Sequence, residues 1–187
     1  NTPGGSATPY WRTNIRVDDG PITDSASQSN IAVDSSGNAY AIWHDNRNGK
    51  NHIYFSYRPS VGSWGTNVIV DDTLNTSEAV YPDIAVDSSG NAYAIWTDNR
   101  TGSYYIYFSY RPSGGSWGAS MRVDDASGSE TAYEPCIAVD SSGNAYAVWA
   151  DRRNGSTLHA YFSYRSSGGN WGANVRVDDA TGTHIAY

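Results

Sequence analysis

Short apolar runs alternate with polar, glycine-containing turns along the chain, and no segment sustains the 3.6-residue apolar period of an amphipathic helix. The alternation is itself repeated. The stretch IAVDSSGNAYAIW at 31–43 returns at 84–96 and again at 137–149, where Val148 replaces the isoleucine, so that Ile31, Ile84 and Ile137 stand 53 residues apart. Each copy predicts four strands, because its Ile, Val and aromatic runs are bounded by Gly, Asn, Asp and Pro. The first is IAV, closed by Asp34, Asp87 or Asp140 and a DSSGN turn whose Gly and Asn admit positive φ. The second is AYAIW (AYAVW in the third copy), followed by HDNRNG, TDNRTG or DRRNG. IYFSYR or AYFSYR is the third, and after a turn ending in Trp-Gly the fourth finishes in VIVDD, MRVDD or VRVDD.

Four antiparallel strands in a repeat of this length predict an all-β chain of β-propeller blades. A solenoid repeats at a shorter period, and a sandwich requires no such identity between copies. In the second strand Ala alternates with Tyr, Ile and Trp, which lets small and large side chains interleave between neighbouring blades. YWRTNIRVDD at 10–19 matches a fourth strand without three strands before it. The chain therefore divides into a linker-like segment at 1–9, an extra outer strand and connection at 10–30, and blades at 31–83, 84–136 and 137–187. Propellers close with about four to eight blades, so three leave the ring incomplete and two blade faces bare. The expectation is completion by further sequence or by self-association, as a ring or a filament, with the orphan strand a candidate for donation to a neighbour.

The order P-x-IAVD-x-x-GNAYA-x-W-x-D-x-R, IYFS, GGSWG, VRVDD, running from about residue 10 to 187, resembles the repeats of the sialidase-like superfamily, the BNR or Asp-box β-propellers. The box, S-x-D-x-G-x-T-W in that family, is degenerate here. PSGGSW at 112–117 keeps Gly114, Ser116 and Trp117 but has Pro112 where the family carries Asp, with Pro59 and Ser166 in the matching slots. The resemblance implies propeller blades whose turns are anchored by Trp64, Trp117 and Trp171, without a calcium or catalytic role for the box. It also implies that a sialidase would draw three arginines, a Tyr/Glu pair and an acidic Asp from non-equivalent places. Here Tyr57-Arg58, Tyr110-Arg111 and Tyr164-Arg165 are copies of one another, and Glu78, Glu130 and Glu134 fall in the interblade connections.

Composition narrows the partners. Tyr 15, Trp 7 and Gly 19 beside one Met and one Cys suit many short strands and tight turns. A net charge of −7, a single lysine (Lys50) and no basic run argue against a nucleic-acid partner. No window reaches the roughly 20 apolar residues of a membrane span. The lone Cys136 allows no internal disulfide, no Cys/His spacing fits zinc, and Cys136 beside Pro135 is expected to be a buried small hydrophobe. The NTPGGSATPYW start, with no cysteine pairs and abundant Tyr, Asn, Ser and Thr, points to a secreted or cell-surface protein.

Three repeated groups carry candidate chemistry. Asp45 and Arg47, Asp98 and Arg100, Asp151 and Arg153 follow Trp43, Trp96 and Trp149. One reading is a repeated surface ion pair of about 0–1 kcal/mol. The other is a ligand site in every blade, as in propeller lectins, with Asp and Arg on sugar hydroxyls and the Trp stacked on the ring. Asp34, Asp87 and Asp140 read as turn-capping carboxylates, since a calcium loop gathers several carboxylates and DSSGN offers one. No cofactor is expected, with calcium the alternative. The pairs Asp18/Asp19, Asp71/Asp72, Asp124/Asp125 and Asp178/Asp179 read as strand ends, because adjacent strand residues face opposite ways. His44, Lys50, His52, Tyr104, Tyr105, Arg152, His159 and His184 break the repeat and read mostly as polar surface positions.

Repetition argues against a single active site. The expected function is a non-catalytic, extracellular structural or adhesive module that associates with further copies of itself. The alternatives are a multivalent glycan-binding propeller and the N-terminal part of a larger sialidase-like glycosidase.

Overall fold

Each copy of the repeat folds into one four-stranded antiparallel sheet, in a computed structural model that describes residues 14–73, 77–127 and 131–178. The segment 1–9, the start of the orphan strand, Glu130, Asp179 and His184 lie outside the described residues. The first sheet contains β1 (Ala26–Val33), β2 (Ala39–Asp45), β3 (His52–Arg58) and β4 (Val68–Ile69). The second contains β5 (Ala79–Val86), β6 (Ala92–Asp98), β7 (Tyr105–Arg111) and β8 (Met121–Arg122), and the third β9 (Ala132–Val139), β10 (Ala145–Asp151), β11 (His159–Arg165) and β12 (Val175–Arg176). Strands lie in chain order in every sheet. The first strands pack on one another and form the inner edge of an open arc of three propeller blades.

The first strands differ from expectation. They open at Ala26, Ala79 and Ala132, well before the IAV triplet. A β-bulge interrupts each ladder, between Ser27 and Asn30 and between Val80 and Asp83, with the matching shift at Val148/Ala150 against β9. The extra residue breaks the two-residue alternation, so the pairing before the bulge leaves no strand signal. The DSSGN turns form as read. Asp34 Oδ1 accepts the N–H groups of Ser36 (2.9 Å) and Asn38 (3.0 Å), and Oδ2 accepts the Tyr40 hydroxyl at 3.0 Å. Asp87 and Asp140 do the same.

Alternation in the second strand builds the joints between blades. Tyr40, Ile42, Ile53 and Phe55 of the first blade pack onto Ile84, Ala92, Ala94 and Trp96 of the second. Tyr93, Ile95, Ile106 and Phe108 pack in the same way onto Ile137, Ala145, Ala147 and Trp149. The turn tryptophans close the joints from outside: Trp117 meets Phe55 edge-on at 5.2 Å and Trp171 meets Phe108 at 5.3 Å. The described part of the orphan segment, 14–19, lies over the first blade as irregular chain. Asn67 donates its side-chain amide to Val17 O at 3.0 Å, and Val17 packs with Trp43 and Trp64.

Candidate functional site

The nine residues of the repeated Trp–Asp–Arg group gather into three equivalent clusters. Asp45 is fully buried, and its Oδ1 accepts the Arg47 N–H at 2.8 Å while Oδ2 accepts the guanidinium at 2.7 Å. The same guanidinium donates to Asp19 at 2.6 Å and lies 4.1 Å over the Tyr54 ring. Arg100 repeats this with Asp98, Asp72 and Tyr107, and Arg153 with Asp151, Asp125 and Tyr161. Trp96 and Trp149 each donate Nε1 to their own aspartate at 3.2 Å, and Trp43 is buried beside Tyr54. Each carboxylate is thus saturated by its own turn and arginine, in the interior.

The paired aspartates divide their work as opposed strand faces require. The first of each pair stays within its own blade: Asp71 accepts the Ile53 N–H at 2.6 Å and lies 2.8 Å from His52 Nδ1. The second reaches the next blade's arginine. His52 and His44 are therefore buried rather than surface groups, and burial lowers the His44 pKa, its Nε2 lying 2.7 Å from Ser27 Oγ.

A second set of residues was not read as a site from the sequence. The bulges place Gln28, Tyr81 and Glu134 at φ of 50°, 54° and 51°, the left-handed region that side-chain-bearing residues seldom occupy. Such strain costs about 1–3 kcal/mol per residue and collects at functional positions. This position and the one two residues on, held by Asn30, Asp83 and Cys136, differ in every copy although the sequence immediately following is identical. They line a concavity of about 320 Å³ on the inner edge of the arc, with Glu134 on β9 rather than in a connection. Gln28 Oε1 accepts the Tyr81 N–H at 3.2 Å, Asn30 donates its amide to Asp83, and Asp83 Oδ2 accepts the Ile137 N–H at 2.8 Å.

Burial raises the Asp83 pKa, against hydrogen bonds from Ile137 and Ile84 that favour the ionised form. Glu134 stands exposed in the same hollow. Cys136 is exposed there too, correcting the expectation of a buried residue, and partial burial with the Asp83 and Glu134 charges raises its thiol pKa. A raised pKa keeps it protonated and a poor nucleophile. No three His, Cys, Asp or Glu side chains come together as a metal site among the described residues. The sequence signal was available: the copies could be compared column by column for positions that differ, whatever their residue type.

No protein-family model matches the chain, and no curated protein matches it. Among solved structures it is similar to Zg3597, a family 117 glycoside hydrolase of the marine bacterium Zobellia galactanivorans, at a TM-score of 0.56 and 13% identity over 81% of this chain and 55% of that one. An α-L-arabinanase of Penicillium chrysogenum, complexed with arabinobiose, follows at a TM-score of 0.47 and 11% identity over 83% and 58%. The chain thus spans little more than half the length of either structure. The first likeness is one of fold, a β-propeller, and carries no evidence for Asp-box repeats.

Proposed function

We propose that the chain is a carbohydrate-directed β-propeller of the glycosidase type, whose ligand binds on the inner edge of the arc at Gln28, Tyr81, Asp83 and Glu134. One observation carries this reading: among the described residues all three blades hold strained, non-identical residues at Gln28, Tyr81 and Glu134, and the same hollow brings the Glu134 carboxylate together with that of Asp83, two residues beyond Tyr81. A tyrosine ring flanked by amides and carboxylates suits a sugar's apolar face and hydroxyls. Glycosidic bond cleavage uses one carboxyl group that retains its proton and one that does not. Asp83, with its pKa raised by burial, fits the proton donor and exposed Glu134 the partner carboxylate. The propeller likeness to a glycoside hydrolase supports the class of ligand, and the composition supports action outside the cell. The repeated Trp–Asp–Arg clusters serve the joints in this reading. The sialidase-like resemblance of the repeat makes sialosides one arm of the test.

The test is calorimetric titration and reducing-end release with neutral, acidic and sialylated oligosaccharides. At least one class is expected to bind, with Tyr81→Ala weakening affinity tenfold or more, a loss of about 1.4 kcal/mol, and Glu134→Gln abolishing turnover. No binding by any class, or binding indifferent to both variants, overturns it.

A further inference from the structure

The two ends of the arc are the two halves of a joint. At one end, Arg16, Val17, Ala26, Ile31, Ala41, Trp43 and Trp64 line an apolar hollow of about 480 Å³. The residues at the corresponding positions in the second and third blades, Ile84, Ala94 and Trp96 or Ile137, Ala147 and Trp149, are filled by the Tyr/Ile/Phe face of the blade before them. Ile31 is 57% exposed where Ile84 is 5%. At the other end the third blade carries the filling face, and its side chains are exposed: Tyr146 is 37% and Val148 43% exposed, against 2% and 0% for Tyr93 and Ile95.

We propose that the third blade of a second copy docks on the first blade, head to tail. Continuity with the two formed joints specifies its contacts. The Tyr40 hydroxyl, which donates to Asp34, lies 3.3 Å from Gly90 O, and that of Tyr93 lies 3.5 Å from Gly143 O, so Tyr146 of the incoming copy meets Gly37. Arg111 lies 5.3 Å over Phe55 and Arg165 5.2 Å over Phe108, so Arg58 and Trp64 receive Phe162. Asp19 already occupies Arg47, in the place that Asp72 and Asp125 hold at Arg100 and Arg153. The receiving copy therefore supplies its own segment 14–19 as the outer strand of the joint, and the incoming Val175–Asp178 gives way. Two such joints between two copies make six blades, within the range of about four to eight that closes a propeller.

Light scattering of the whole chain across a wide concentration range is expected to show twice the 20.2 kDa of one copy. Ile31→Asp and Val148→Asp change exposed residues, so each variant should keep its far-ultraviolet dichroism while becoming monomeric. Mixed in equal amounts, the two variants should form a one-to-one dimer, because one sound face of each type remains. A wild-type monomer at every concentration, a variant that keeps its mass, or a mixture that stays monomeric overturns the proposal. None of these readings depends on the glycan titration.

Discussion

The blade joints and the inner edge are built from the same repeat by opposite rules. In the joints the arginine ties occur in threefold copy: Asp19 on Arg47, Asp72 on Arg100, Asp125 on Arg153, each arginine over the equivalent tyrosine. On the inner edge the backbone repeats, with φ near 50° in each bulge, while the side chains are Gln, Tyr and Glu. Identical side chains on a repeated backbone are what stacking blades need. Different side chains on a repeated, strained backbone are what a single off-centre ligand needs.

The sharpest way to break this contrast is at the joint between the first and second blades. Asp98 is fully buried and accepts from the Arg100 N–H, the Arg100 guanidinium and Trp96 Nε1. Asp98→Ala removes a buried acceptor from three donors and leaves Arg100 to Asp72 alone, so it is expected to lower unfolding free energy by about 3 kcal/mol, measured by urea denaturation. A loss under about 1 kcal/mol would return the pair to the surface class. Gly90→Ala tests the same joint more gently. Gly90 has φ of +79°, and an added Cβ would lie 3.0 Å from the Tyr40 hydroxyl and from Ser113 Oγ. A cost of about 1–3 kcal/mol follows. Gly37 shares the conformation, at φ +78°, but its nearest neighbour is Ser60 Cβ at 3.4 Å. Gly37→Ala should cost less, and the difference measures what the formed joint adds.

On the inner edge the sign reverses. Glu134→Gly removes an exposed side chain from φ 51°. Relief of strain outweighs the freedom glycine gains on unfolding, so the variant is expected to be more stable by about 0.5–1 kcal/mol. It should also lose glycan turnover. A destabilised variant would mean that the bulge is held for the fold rather than for a ligand.

The blades were legible because strand and turn chemistry is local: IAV, DSSGN and AYAIW state their own conformation. The D-x-R pair was legible for the same reason, since Arg47 bonds Asp45 across one turn. Its burial was not, because the third member, Asp19, stands 28 residues away and meets the arginine only when blades stack. The inner edge escaped for a different reason. A bulge replaces alternation with a conformation that Gln, Tyr and Glu do not advertise, so the residues read as connection. His52 misled in the opposite sense: a polar residue suggests surface, yet Asp71 receives it in the interior.

The smallest effect is a test of pH. Burial works against ionisation of Asp72, but Ser120 and the Arg100 guanidinium prevail and lower its pKa to about 2. Its unfolded value lies near 3.9, roughly that of a free aspartate. A depressed native pKa means that the folded state favours the ionised form, so the contribution is whole above about pH 4 and fades as pH falls through about 2. Because the Asp72 side chain is 45% exposed, solvent screening holds the tie to about 0.5 kcal/mol. Asp72→Asn should therefore be less stable than the parent near neutrality and converge with it in acid, in denaturation curves taken at successive pH values. A gap that stays constant with pH would make the arginine tie a matter of shape alone, and the joint would then owe its strength to the Tyr/Ile/Phe face against Ala and Trp.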